Sequence, residues 1–188
     1  MNKKLALTMV ATGIVINIIG GLVATTLKLP IFLDSIGTML AAVTLGPWLG
    51  ALTGLLSNVF QGLATDPISI PFALVNAVIG LVVGFLAKKR GFTDYITPLL
   101  AGIILAFVAP IIGTPIAVYL FGGVTGGGVD ILYSILLKSG NEIFASAFLA
   151  RIPANLADKL LSAYLIMAII RRLPQNMKGI SKGPNVAG

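Results

Sequence analysis

The sequence predicts an all-α integral membrane protein, a bundle of six transmembrane helices with the N and C termini on the cytoplasmic side. Three observations carry that expectation. Of 188 residues, 57% are apolar and 10% charged, against roughly 45–50% and about 25% in a soluble domain, and the mean hydropathy is +1.02. Uncharged runs long enough to cross a bilayer recur along the chain. The basic residues, 13 against six acidic, sit mostly between those runs on one side, as orientation signals do.

The elements follow in order from charge and from glycine and proline. Leu5 to Leu27 is uncharged for 23 residues, enough for a hydrocarbon core of about 30 Å. It is too long for a signal-peptide core, and no cleavage site with a polar mature domain follows it, so it is read as a retained span over 5–27. Asp34 and Asp66 bound 31 uncharged residues, and Gly46-Pro47 inside that run marks a reversal. Two helices are expected there, a short one over 31–45 and a second over 47–64. A fourth helix, 71–87, ends at Lys88-Lys89-Arg90-Gly91. A fifth, 95–121, stops where Gly122 to Gly128 becomes too rich in glycine to stay helical. The sixth span, 141–170, is interrupted by charges and becomes purely apolar only from Leu160. The whole chain reads as one membrane domain, with 173–188 a flexible cytoplasmic tail.

Six spans put Lys3, Lys4, Lys88, Lys89, Arg90, Arg171, Arg172, Lys178 and Lys182 on one side, nine of the 13 basic residues. That side is cytoplasmic by the positive-inside rule. Lys28, Lys138, Asp34, Asp66 and Asp130 fall outside. No run reaches the five or six like charges of a nucleic-acid arm, so no nucleic-acid partner is expected.

The polar residues of the spans gather at one depth. Asn58 and Gln61 lie in the outer half of the third helix, Asn76 in the outer third of the fourth, and Arg151, Asn155 and Asp158 share one face of the last at i, i+4, i+7. Asn17 lies just outward of the midplane, and Glu142 projects beyond the outer surface. A charge at the bilayer centre costs about 2.5–3.5 kcal/mol on insertion scales, so these groups should turn inward and find partners. Polar groups gathered outside over an apolar inner half suggest a pocket open outward and sealed below. Asn58, Asn76, Arg151 and Asn155 are then its candidate ligand contacts, with Gln61 and Glu142 also counted among the substrate-binding residues; Asp158 mainly holds Arg151, and Asp34 either caps the second helix or anchors the first outer loop as a lid. The plainer reading is interhelical glue, with Arg151 paired to Asp158.

Small residues at four-residue spacing, as in Gly46-Gly50-Gly54, Gly80-Gly84, Ala73-Ala77 and Ala150-Ala154, let helix backbones approach, either inside the bundle or at a docking face. Catalysis finds little support. With no Cys and no His there is no thiol nucleophile and no imidazole. No GxxxxGK[ST], HExxH or GxSxG occurs, so any ATP hydrolysis belongs to other subunits, and neither a cofactor nor a metal is implied.

Three stretches carry a family resemblance: Leu29-Pro30-Ile31-Phe32-Leu33-Asp34-Ser35-Ile36-Gly37-Thr38, then Leu45-Gly46-Pro47-Trp48-Leu49-Gly50-Ala51-Leu52-Thr53-Gly54-Leu55-Leu56-Ser57-Asn58, then Arg151-Ile152-Pro153-Ala154-Asn155-Leu156-Ala157-Asp158-Lys159. The chain resembles the substrate-binding S components of energy-coupling factor (ECF) vitamin transporters, over nearly its whole length and in motif order. The resemblance implies a bundle that captures a vitamin or vitamin precursor near its outer surface, under the loop between the first two helices. It also implies a transmembrane T component and two cytoplasmic ATPases that drive inward release, in a bacterial plasma membrane. Family members often carry Ala-x-x-x-Ala on the first helix for docking; here Gly20 and Ala24 stand at that spacing.

Within the family the chain most resembles members assigned to hydroxymethylpyrimidine or pyridoxine, and an amide-rich pocket suits a heteroaromatic ring. Riboflavin, pantothenate and other precursors stay open. The alternative from another class is a self-sufficient secondary transporter or channel.

Overall fold

A computed structural model describes residues 3–174. They form seven α-helices and one 3-10 turn, with no strand among the described residues. The tail expected from residue 173 lies, from residue 175 on, outside the described residues.

Helix α1, Lys3–Thr26, is followed by a loop rather than directly by a helix. The second helix, α2, is Ile36–Leu45 and not 31–45. Lys28 and Leu33 both take positive φ, 52° and 55°, a left-handed conformation that a right-handed helix cannot contain. Leu33 N donates instead to Asp158 Oδ1 at 2.8 Å, 125 residues away. The first turn of α2 is capped from another helix: Asn17 Oδ1 on α1 accepts from Gly37 N at 2.7 Å and Thr38 N at 3.3 Å. Asp34 does not act as the cap, and Ser35 before the helix makes no side-chain capping bond.

Gly46, at φ 102°, turns the chain, and Pro47 opens α3, Pro47–Ala64. A 3-10 turn over Pro67–Ser69 is held by Asp66, whose carboxylate accepts from Ile68 N and Ser69 Oγ. Helix α4, Ala73–Arg90, runs one turn past its expected end, so Lys88, Lys89 and Arg90 complement the negative end of its dipole. Helix α5, Ile96–Phe121, stops at Gly122 and Gly123, both at positive φ.

A short helix, absent from the six expected, follows the glycine-rich segment. Helix α6, Val129–Lys138, packs Val129 and Tyr133 on Ala147, Ala150 and Ala154 of α7, Ile143–Arg172. Asp130, Ser134 and Lys138 fall at i, i+4, i+8 in an otherwise apolar stretch, an amphipathic helix signal that the sequence does carry but over ten residues, too few for a membrane span.

Helices α1, α5 and α7 are long and apolar enough to cross a membrane. The apolar core, including Met39, Val43, Ile79, Val83, Leu105, Ile166 and Ile170, joins α2, α4, α5 and α7. Small residues hold α3 against α4. A Cβ at Gly80 would overlap the Gly50-Ala51 backbone, and one at Gly84 would overlap Pro47. Gly20 and Ala24 do not form an outward docking face. A Cβ at Gly20 would strike Leu33 O, and Ala24 is buried, so the pair faces inward toward the loop that folds back over α1.

Candidate functional site

At the end of the bundle carrying the α1–α2 loop lies a cavity of about 130 Å³. Loop residues Ile31, Phe32 and Asp34 wall it on one side and Thr125, Gly127 and Gly128 on another; Val75, Ile79 and Ala109 supply apolar surface. The two loops are clasped together. Lys28 Nζ donates to Gly126 O at 2.6 Å, and Gly128 lies against the carbonyls of Lys28 and Leu29. The Asp130 carboxylate shapes the second loop by accepting from Thr125 N at 3.0 Å and Gly126 N at 2.6 Å.

Of the residues singled out in the sequence, Asp34, Asn58, Gln61, Asn76, Arg151 and Asn155 all line this cavity, and Asp158 and Glu142 do not. Glu142 is exposed at the start of α7. Asp158 is fully buried. It does not hold Arg151, because seven residues are two turns, about 10 Å along the axis, and helical side chains lean toward the N-terminus. Arg151 accordingly reaches away from Asp158, donating to Ala147 O at 3.1 Å and Gly123 O at 3.4 Å.

The partner of Asp158 is Lys159, which the sequence reading passed over and which also lines the cavity. Its Nζ contacts Asp158 Oδ2, donates to Ser35 Oγ at 2.7 Å and lies 3.7 Å from Asp34 Oδ1. The available signal was a lysine directly beside Asp158 within a membrane span. Two carboxylates thus share one ammonium. The Asp34 side chain is 31% exposed, and that exposure opens into the cavity. Burial raises the Asp34 carboxyl above its ordinary range; Lys159 opposes the rise and Asp158 adds to it.

The amides divide into two groups. Asn76 Nδ2 donates to Asp34 O at 2.9 Å and to Asn58 Oδ1 at 2.8 Å, and Asn58 Nδ2 donates to Ser69 O at 3.1 Å. This chain ties the α1–α2 loop through α4 and α3 to the 3-10 turn. The Gln61 side-chain amide, by contrast, has no partner among the described residues and is open to the cavity. Asn155 Nδ2 bonds back to Arg151 O at 2.8 Å, and its oxygen has no donor within the described chain. Asn17, below, is fully used by Gly37, Thr38 and Ser57 and is structural. No group of three or more metal-ligating side chains occurs among the described residues.

An amide-lined cavity with a buried arginine, flanked by two loops over an apolar core, can hold one small polar molecule. The model of the family described as ECF transporter, substrate-specific component matches residues 5–170. The comparisons with curated proteins and with solved structures give no match. With nearly the whole chain inside the family match, the protein belongs to the ECF substrate-specific components, multi-pass membrane subunits that bind a small-molecule substrate and associate with T and ATPase components.

Proposed function

We propose that this ECF substrate-specific component captures a vitamin or vitamin precursor, hydroxymethylpyrimidine or pyridoxine, and hands it inward when coupled to a T component and two ATPases. The observation that carries the reading is the cavity itself. Six polar residues foreseen in the sequence converge there from α3, α4, α7 and the α1–α2 loop, over an apolar core. Arg151, Asn155, Gln61 and Asp34 contact the ligand; Asn58 and Asn76 hold the wall they stand in. The α1–α2 loop is the lid, latched to α7 through Lys159 and to the second loop through Lys28.

In the membrane, α1 to α5 and α7 are the six spans, with both termini in the cytoplasm of a bacterial cell. Helix α2 is only about 15 Å long, and the loops that cover the cavity complete its crossing at the outer side. The positions of Lys88, Lys89, Arg90, Arg171 and Arg172 at the opposite end support that orientation.

The test is mass spectrometry of small molecules released from purified, denatured protein, followed by uptake in liposomes. A stoichiometric vitamin-like compound, with uptake only when T and ATPase subunits and ATP are present, is expected. Ligand-free protein that drives uptake alone would make it a self-sufficient transporter instead.

A further inference from the structure

We infer that the cavity is built for a dipolar heteroaromatic ring, with an anionic ring oxygen at Arg151 and a protonated ring nitrogen at Asp34. The inference rests on the capture reading above and narrows its ligand. The cavity carries an imbalance of charge.

Arg151 is 4% exposed and lines the cavity. Two of its N–H groups reach the carbonyls of Ala147 and Gly123, which leaves three of the five a guanidinium carries. Among the described residues no carboxylate lies within 4.0 Å of it. Asp130, whose charge does act on Arg151, has its oxygens occupied by Thr125 and Gly126. A buried guanidinium left in this state is costly, and an anionic oxygen in its plane relieves the cost.

The opposite imbalance stands at the lid. Lys159 faces both Asp158 and Asp34, so one negative charge is in surplus. Asp158 is fully buried and also holds Leu33 N, which leaves the surplus on Asp34, the carboxylate that opens into the cavity. Asp66, a second carboxylate in the lining, already accepts from Ile68 N and Ser69 Oγ. The space therefore offers a guanidinium on α7 with no carboxylate in contact and an underpaired carboxylate on the α1–α2 loop, with Phe32 and Phe72 also in the lining. At about 130 Å³ it is well below the roughly 300–1,000 Å³ of sites for drug-sized ligands, which suits a single ring. Of the two favoured compounds, pyridoxine meets the pattern, because its ring is a 3-hydroxypyridine, which in neutral water favours the form with the proton on the ring nitrogen and the ring oxygen anionic. Hydroxymethylpyrimidine has no anionic oxygen for Arg151.

Full-length protein in lipid nanodiscs, freed of bound ligand, is titrated by calorimetry with pyridoxine, its ring-oxygen methyl ether, and hydroxymethylpyrimidine. The parent and Arg151→Gln are compared, with melting temperatures as the folding control. Pyridoxine is expected to bind about 10-fold or more tighter than the ether, with the gap closing in Arg151→Gln. If the ether binds as tightly as pyridoxine, or hydroxymethylpyrimidine binds the parent as tightly as pyridoxine does, the dipolar ligand is overturned while capture stands. If a cooperatively melting parent binds none of the three, the dipolar ring and capture of either favoured compound both fall. Should Arg151→Gln not fold, the ether comparison on the parent decides alone.

Discussion

Lys159 Nζ lies 2.7 Å from Ser35 Oγ across 124 residues of sequence. Through that contact α7 grips the residue that precedes α2, and with Asp158 and Asp34 it fixes the loop that walls the cavity. The α1–α2 loop is thus held by buried charge rather than by apolar packing alone.

Removing Lys159 should therefore unbalance the fold. Lys159→Met leaves Asp158 buried without its cation, a change of about 3–5 kcal/mol for a broken buried pair. The Lys159→Met, Asp158→Asn double variant should recover part of the loss. Thermal unfolding of the three proteins checks this, and a double variant no more stable than the single one would refute the pairing.

Asn17 should behave as a cap supplied from a neighbouring helix. Asn17→Ala strips Gly37 N and Thr38 N of their acceptor and Ser57 of its donor, costing about 1–3 kcal/mol for buried groups left unsatisfied. Asn17→Asp keeps the acceptor and loses the donors, so it should fall between alanine and the parent in melting temperature.

Gln61 and Asn58 line the same cavity and should separate by readout. Gln61→Ala should weaken ligand binding by roughly 5- to 150-fold, the equivalent of one hydrogen bond lost in a dry site, with little change in melting temperature. Asn58→Ala breaks the chain from Ser69 to Asp34 and should lower the melting temperature. Equal affinity and equal melting in both variants would mean that the cavity lining is inert.

The α3–α4 contact predicts a contrast between two glycines. Gly84→Ala would drive a methyl group into Pro47 backbone, whereas at Gly113 the added carbon meets Phe72 and Val75 side chains at 3.6 Å, ordinary contact. Gly84→Ala should cost about 1–3 kcal/mol as overpacking does, and Gly113→Ala should melt with the parent. Denaturation in detergent distinguishes them.

Lys28 should act on ligand kinetics. Its bond to Gly126 O is exposed, so Lys28→Met should change stability by under about 1 kcal/mol. If the two loops close the cavity, the same change raises the ligand off-rate, measured by stopped-flow release. An unchanged off-rate would remove the latch.

The sequence by itself determined the long helices and the common level along the bundle of the polar groups that line the cavity. Uncharged runs and the breaks at Gly46-Pro47, Gly91 and Gly122 are local signals, and helix α3 lies at the residues those signals mark. Asn58, Gln61, Asn76, Arg151 and Asn155 could be placed in one cavity because rise per residue converts sequence position into depth. Tertiary structure alone decided the partners. Asp158 turns to Lys159 and Leu33, Arg151 turns to Gly123, and Asn17 caps a helix it does not belong to. Gly20 and Ala24, spaced like a docking face, look inward because the α1–α2 loop folds back over them. The physical reason is range. Helix formation is set by residues within a turn or two, whereas a buried charge or amide is satisfied by whichever backbone or side chain packing brings within about 3 Å, at any distance along the chain.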